Sequence, residues 1–229
     1  MSDPNAAPQD EGHVFLFDKP LGWTSFQAVK KLKYLTKSKK IGHAGTLDPL
    51  ASGLLVICSG KKTKTIEGIQ AQPKEYEATI RLGSSTPSYD LETEPEHHCA
   101  WEHIGPSDIE NALDQFRGEI MQTPPLFSAI KVDGKRAYDM ARAGSDHQLK
   151  ARPVSIYSFE LLEQIGPDLK VRIACSKGTY IRSLAQDLGL HLGTRSHLAA
   201  LRRTKIGEFD VSQALTPEAW QSQLRPETT

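Results

Sequence analysis

Two strand-like segments separated by a single turn limit the fold of this chain more than any other feature. Val154 to Leu162 and Leu169 to Cys175 are rich in apolar and β-branched residues, and Gly166-Pro167 lies between them. So short a connection joins antiparallel strands, because a parallel pair needs a crossover of about a dozen residues or more. Glu75 to Leu82 alternates polar and apolar residues, which predicts a strand with one buried face. Because helix and strand patterns mix irregularly, we expect an α+β fold: a mainly antiparallel mixed sheet with flanking helices.

Near the N-terminus, the segment Ser25 to Thr36 is predicted to be an amphipathic helix. Thr24 or Ser25 can cap its first turn. Its apolar residues recur at intervals of three and four, at Phe26, Val29, Leu32 and Leu35. Further elements are predicted along the chain: a buried strand at Leu54 to Cys58, a strand at Ser128 to Val132 with its turn at Asp133-Gly134, a short helix at Tyr138 to Ala143 and a final strand at Ile206 to Val211.

Positive charge is concentrated in one part of the chain, although the formal net charge is zero. The span from Lys19 to Ile66 contains ten lysines and a single carboxylate, Asp48. Such clustering favours a polyanion partner, and the alternative is a set of basic helix faces in solvent. A second basic group comprises Arg195, Arg202, Arg203 and Lys205. If the loop and its flanking segments fold together, the lysines at 30–40 and 61–64 and this second group should lie near Asp48 and neutralise several phosphates of a polyanion.

The segment Gly42 to Gly53 is the strongest candidate for a functional loop. Its three glycines allow the backbone to approach a ligand or another strand closely. Nearby cations favour the ionised form of Asp48. An ionised aspartate can act as a covalent nucleophile or as a general base. The structural alternative is that Asp48 caps a turn before Pro49.

Other patterns point less clearly to chemistry. Ser59-Gly60-Lys61 is not a phosphate-binding loop, since the glycine required four residues earlier is Leu55. Ala174 to Gly178 resembles the nucleophile elbow of a hydrolase, so a Ser176 hydrolase is a weaker alternative to a tight strand-to-helix turn. Zinc is poorly supported by the adjacent candidate ligands of one polar loop, which are His97, His98, Cys99 and His103.

Several segments, in order along the chain, resemble the motifs of the TruB family of tRNA pseudouridine synthases. Gly42 to Pro49 is similar to the nucleophile loop of that family. The other matching segments are DKPLGWTS at 18–25, KEYEA at 74–78, PPLFSAIK at 124–131, GKRAY at 134–138, CSKGTYIRSL at 175–184 and LRRT at 201–204. The resemblance implies a pseudouridine synthase-like catalytic domain.

The same resemblance implies roles for individual residues. Asp48 would be the essential aspartate, and Arg182 would pair with it and hold it ionised. Tyr76 would stack on the target base and accept the C5 proton. The substrate-binding residues would be His43, Tyr180, Leu201 and Lys19. Without the resemblance, Tyr76 and Leu201 could be ordinary core residues and Arg182 a surface charge.

The implied domain plan is a flexible leader at residues 1–12, a catalytic domain at 13–211 and a tail at 212–229. Many family members carry a C-terminal RNA-binding domain, and the tail is too short to form a separate one. The segment Thr86 to Asp90 also departs from the family pattern.

The implied reaction isomerises uridine to pseudouridine in the T loop of tRNA, at position 55, after the base has flipped out of its stack. Asp48 would attack C6 of uracil or C1′ of ribose, or assist departure of the base. Neither redox change nor hydrolysis occurs, so we expect no cofactor and no metal. The rival hypothesis is a tRNA-binding protein without catalytic activity.

The expected setting is the cytoplasm. Three scattered cysteines, Cys58, Cys99 and Cys175, do not suggest a disulfide framework. The longest apolar runs are far shorter than a membrane span, which predicts no membrane partner. We expect a monomer that binds the T stem-loop of tRNA.

Overall fold

The computed structural model describes residues 11–128, 131–132, 135–136 and 149–224. The chain forms two compact units, one comprising residues up to 76 together with those from 202 onward, and the other comprising residues 77–201. Within the described ranges, no helix is both long and apolar enough to cross a membrane. The three cysteines are free thiols, as predicted.

Strand pairing in the first unit is antiparallel. β1 (Val14–Lys19) pairs with β3 (Ala51–Ser59), so that Lys19 lies opposite Gly53 at one end and Val14 opposite Cys58 at the other. The short β2 (Ile41–His43) pairs with the Ser59 end of β3. The helices of this unit are α1 (Ser25–Thr36), α2 (Ile66–Ala71) and α5 (Pro217–Leu224), with 3-10 turns at Gly60–Thr65 and Val211–Gln213. α5 therefore lies within the predicted tail.

β3 is buried on both faces, which confirms the buried strand predicted over Leu54 to Cys58. Leu55 and Ile57 belong to one apolar cluster, with Phe15 and Phe17 of β1 and Leu32 of α1. Leu54, Val56 and Cys58 point to a second cluster on the opposite face. Successive strand side chains alternate between faces, so a continuous apolar run suits a strand covered on both sides.

Helix α1 confirms the predicted helix in its bounds and its cap. Thr24 is the N-cap, and its side chain forms a capping box with Gln27. Val29 and Leu32 are buried as predicted, but Phe26 is 71% exposed, so its place in the buried stripe was wrong. The buried face passes instead through Ser25 and its neighbours one turn later, which leaves Phe26 on the outer side of the first turn.

The second unit contains the predicted antiparallel hairpin. β8 (Arg152–Ile165) pairs with β9 (Asp168–Cys175) across a turn in which Gly166 has φ 55°. The strand order here is β4–β9–β8–β5, where β4 is Lys74–Leu82 and β5 is Gly118–Gln122. The helices are α3 (Pro106–Phe116) and α4 (Ile181–His191). These elements confirm the α+β class.

Two further strand predictions had different outcomes. Within the strand predicted over Ser128 to Val132, Lys131–Val132 forms β6, which pairs antiparallel with β7 (Lys135–Arg136). The helix predicted over residues 138–143 lies outside the described residues. The final strand predicted over residues 206–211 was wrong.

At that end of the chain, β10 (Ser196–Ile206) stops and turns back into β11 (Phe209–Asp210). Gly207 has φ 54°, and a Cβ on it would lie 1.5 Å from Oε1 of Gln72. The positive φ favours glycine in this turn, which interrupts the predicted strand.

Candidate active site

A hydroxyl group from α1 fixes the backbone just before Asp48. Ser25 Oγ accepts a hydrogen bond from the Leu47 backbone N–H at 2.8 Å and donates one to the Leu47 carbonyl oxygen at 3.0 Å. Both residues are buried, with 3% and 4% of their surface exposed, so water does not compete for these bonds. Asp48 therefore follows a backbone segment with little freedom to move.

The rest of the loop is held by backbone contacts. The Asp48 carbonyl accepts a hydrogen bond from Ala51 N–H at 3.0 Å, and the Pro49 carbonyl accepts one from Gly22 N–H at 2.8 Å. Gly53 has φ 98°, and a Cβ on it would lie 2.3 Å from the Arg203 carbonyl oxygen. The predicted use of glycine for close approach to another strand is therefore confirmed at Gly53.

A buried lysine provides positive charge beside Asp48. Lys19 is fully buried, and its Nζ donates to the carbonyl oxygens of Pro20 at 3.1 Å and Trp23 at 2.6 Å. Burial lowers the pKa of Lys19 to about 8, while the charge of Asp48 opposes that shift and the charge of Arg203 adds to it. At neutral pH the ammonium remains charged and favours the ionised form of Asp48.

A second buried cation, Arg203, connects the loop to Tyr76. Its Nε donates to the Leu54 carbonyl at 2.8 Å, and its Nη2 donates to the Gly45 carbonyl at 3.0 Å. It also forms a side-chain hydrogen bond with Tyr76, which is 8% exposed. Burial lowers the pKa of this guanidinium, and Tyr76 opposes that shift. One side chain thus fixes both the loop and the tyrosine.

His43 lies at the start of the loop. Its Nε2 is 3.1 Å from the Thr46 hydroxyl oxygen, which closes the first turn of the loop. Burial, followed by the charge of Arg203, lowers the pKa of His43 below its ordinary value. The imidazole is therefore neutral at pH 7 and can form hydrogen bonds or stack, but adds no charge to the site.

In the second unit, Arg182 is a buried cation held by one short loop. It is 5% exposed; its Nη1 donates to the Ser88 carbonyl at 3.2 Å, and its Nε lies 3.6 Å from Oδ2 of Asp90. The alternative of a surface charge for Arg182 was therefore wrong. A guanidinium this deeply buried needs a carboxylate partner, and Asp90 supplies one.

The loop that departs from the family pattern is tightly hydrogen-bonded. The Thr86 and Ser88 hydroxyls both donate to the Asp90 carbonyl, at 2.6 and 3.1 Å. Leu198 N–H of β10 donates to the Tyr89 carbonyl at 2.9 Å, and Tyr89 has φ 63°. The residues that depart from the family pattern therefore form an ordered loop, and this loop places Asp90 beside Arg182.

Tyr180 forms the entry to α4. Its N–H donates to Oε1 of Gln122 at 2.8 Å, and its carbonyl accepts from Nε2 of the same residue at 3.0 Å. The Arg152 guanidinium lies 5.2 Å from the centre of the Tyr180 ring, at cation–π distance. The nearby Ser176 hydroxyl accepts a hydrogen bond from Ser155 N–H at 2.9 Å, which supports the turn rather than a hydrolase nucleophile. Leu201 is half-buried on β10.

Family profiles match most of the chain. Residues 33–181 match the TruB family pseudouridylate synthase N-terminal domain, and residues 182–226 match the tRNA pseudouridylate synthase B C-terminal domain. The chain belongs to the TruB family. It is therefore a pseudouridine synthase, an isomerase, and the resemblance seen in its motifs is confirmed.

Sequence similarity to known proteins covers most of the chain. The chain is 52% identical over 222 residues to tRNA pseudouridine synthase B of Flavobacterium johnsoniae, covering 94% of this chain and 97% of that relative. It is 51% identical over 216 residues to tRNA pseudouridine synthase B of Phocaeicola vulgatus, covering 92% of each. A structure of an H/ACA RNP bound to a substrate RNA containing 2'-deoxyuridine has a similar chain, at 27% identity and a TM-score of 0.69; the match covers 94% of this chain and 56% of that one.

In this TruB-family enzyme, two arginines of the second basic group have partners within the protein. Arg203 is 2% exposed, so it cannot contact RNA phosphates. Arg202 forms a bidentate pair with Asp18, at 3.0 and 2.7 Å. Neighbouring residues on a strand face opposite sides, so the position of the two arginines on β10, a strand that the sequence pattern did not predict, places Arg203 inward and Arg202 outward.

The lysines of the TruB-family enzyme also differ from expectation. Lys40 lies at the Ser59 end of β3, where its carbonyl accepts from Gly60 N–H at 2.9 Å, whereas Asp48 lies at the Ala51 end. Eight residue steps of about 3.3 Å separate these ends by roughly 26 Å. The prediction that the lysines lie near Asp48 was therefore wrong for Lys40.

Proposed function

We propose that this enzyme converts uridine to pseudouridine in the T loop of tRNA, at position 55. The names of its relatives in Flavobacterium johnsoniae and Phocaeicola vulgatus support tRNA as the substrate. The similarity to a chain of an RNP bound to substrate RNA supports an RNA-binding role. The predicted cytoplasmic location and monomeric state belong to the same proposal.

The fixed position of Asp48 is the observation that carries this proposal. The carboxylate lies on a loop clamped by Ser25 and Arg203, with the Lys19 ammonium as a neighbouring positive charge. A rigid backbone and a compensating cation are what a catalytic carboxylate needs to remain ionised and oriented. A simple turn cap would need neither of these buried cations.

The reaction rearranges one nucleotide without adding or removing atoms. The N1–C1′ bond breaks and a C5–C1′ bond forms; the proton on C5 is lost, and N1 gains a proton. Asp48 contributes by attack at C6, by attack at C1′ or by assisting departure of the base. The base is flipped out so that its reacting atoms become accessible.

The other residues are proposed to position the base and the carboxylate. Tyr76 stacks on the flipped base and accepts the C5 proton, with its ring held through Arg203. Tyr180 and Leu201 contact the uracil, and His43 contacts the flipped loop. Arg182 pairs with Asp48, as the family resemblance implies.

Lys19 is the exception to the predicted substrate-binding set. Its ammonium is buried and donates to two carbonyl oxygens, so a phosphate contact would require breaking those bonds. We assign it electrostatic support of Asp48 instead.

The test is site-specific detection of pseudouridine in an unmodified tRNA transcript. Wild-type enzyme should convert the uridine at position 55 and leave a transcript with cytidine at that position unmodified. Pseudouridine at another position only would overturn the T-loop assignment, and product in neither RNA would overturn tRNA modification.

A further inference from the structure

A large groove in the first unit lies at the opposite end of β1 and β3 from Asp48. Its volume is about 890 Å³. Its walls include the start of β1, the end of α1, the 3-10 turn that begins at Gly60 and helix α5. Nothing in the proposed reaction uses it.

The lining of the groove is strongly basic. Five lysines line it, Lys37, Lys39, Lys40, Lys61 and Lys64. No Asp or Glu is among the described residues that line it. Like charges gathered in one concave site repel each other, so their accumulation there favours a polyanion as the ligand.

The floor of the groove is rigid and aromatic. Trp220 of α5 packs edge-on against Phe15 at a centroid distance of 5.3 Å, and its indole N–H donates to the Leu16 carbonyl at 3.2 Å. Lys31 Nζ donates to Oε1 of Gln221 at 2.5 Å, which ties α1 to α5. The lysines therefore extend from a surface that is already ordered. A ligand can bind there without the loss of conformational entropy that ordering the surface would cause.

We propose that this groove binds backbone phosphates of the tRNA substrate at a distance from the reacting base. The inference rests on the proposed function. The separation of roughly 26 Å corresponds to at least about eight base pairs, because the rise per phosphate is about 3.4 Å along one strand of a DNA duplex and is no greater in an RNA stem. An isolated hairpin with a stem of about five base pairs is too short to reach it, whereas two stacked stems of whole tRNA are long enough.

The test is RNA binding by a variant that removes two groove charges, Lys40→Gln with Lys64→Gln. Both lysines are exposed, and neither is part of the Asp48 loop. The matched control is Lys30→Gln with Lys33→Gln, which removes two exposed lysines of the same unit that do not line the groove. Dissociation constants for whole tRNA and for the short hairpin are measured across a salt series.

We expect the groove variant to bind whole tRNA at least about tenfold more weakly near 0.1 M salt, with the salt slope reduced by about 1.4 to 1.8, or 0.7 to 0.9 for each lost contact. Its hairpin affinity and its Tm should stay close to those of wild type, and the control should lose at most about twofold on either RNA. Equal losses in the groove and control variants would overturn the proposal. So would equal losses on hairpin and whole tRNA, or unchanged tRNA affinity, which would leave the groove to a protein or another ligand.

Measuring RNA binding and pseudouridine formation separately distinguishes the groove proposal from the proposed function. Pseudouridine formation by wild-type enzyme in the same tRNA is measured in parallel. Product without a groove effect would overturn the groove proposal alone. A groove effect without product would overturn the proposed activity alone.

Discussion

Replacement of Ser25 by alanine tests whether the clamp on Leu47 positions Asp48. The variant loses both hydrogen bonds to the Leu47 backbone, and the Leu47 N–H and carbonyl are left buried without those partners. Each unsatisfied buried group costs about 1–3 kcal/mol, so for these two groups we expect the free energy of unfolding to fall by about 2–6 kcal/mol. Since a displacement of about 1 Å can cost a hundredfold in rate, the single-turnover rate should fall roughly 10- to 100-fold.

Thr24→Ala is the matched control for Ser25→Ala. It removes the neighbouring N-cap, whose Oγ1 accepts from Gln27 N–H at 3.1 Å, and it leaves the Leu47 bonds intact. The loss of a cap costs about 1 kcal/mol, so Tm should fall while the chemical rate is retained. Both variants are assayed well below their Tm, with pseudouridine formation followed at saturating enzyme. Equal rates for the two variants would refute a positioning role for Ser25.

Two other predictions follow from the buried charges. Asp90→Asn removes the buried carboxylate charge that lies 3.6 Å from Arg182 Nε, which should lower the free energy of unfolding by about 3 kcal/mol and slow the single-turnover rate, whereas Glu94→Gln, at an exposed position, should change neither; a Tm equal to that of wild type would contradict this pairing. Because burial lowers the pKa of Lys19 to about 8, the positive charge beside Asp48 is lost above that pH, so kcat should decline on the alkaline side. The stability contribution of Lys19 has the opposite sign, since the unfolded chain holds this proton more tightly, and it should rise between about pH 8 and 10.5. A kcat that is constant from pH 7 to 10 would contradict the role given to Lys19.

Local patterns along the chain predicted most of the fold. The cap at Thr24, the two-sided burial of Leu54 to Cys58 and the hairpin of β8 and β9 all depend on neighbouring residues, so the sequence shows them directly. β10 was not predicted because its polar residues hide any regular alternation of polar and apolar positions. The turn at Gly207 was not predicted either, since its positive φ and its close approach to Gln72 are visible only in the folded chain. Those features depend on contacts between distant segments.

The same distinction applies to the candidate site. Asp48 could be chosen as the candidate nucleophile from the sequence, because it is the single carboxylate among ten lysines and because its loop resembles the nucleophile loop of the family. The contribution of Arg203 could not be predicted, because its partners Gly45, Leu54 and Tyr76 come from three other segments of the chain. Sequence proximity was also misleading for Lys40, since β2 carries the chain along β3 before the loop reaches Asp48.

The most direct test of the central claim is release of the C5 hydrogen by Asp48→Asn. Wild-type and variant enzymes are mixed in excess with a tRNA transcript whose uridines carry tritium at C5, and tritium release is followed in a single turnover. Affinity for the same tRNA and Tm are measured for both proteins. We predict no release above background by Asp48→Asn, with tRNA affinity within a few-fold of wild type and an unchanged Tm. Release within about tenfold of the wild-type rate would contradict a catalytic role for Asp48, and a parallel loss of activity, affinity and Tm would show that Asp48 is a turn cap.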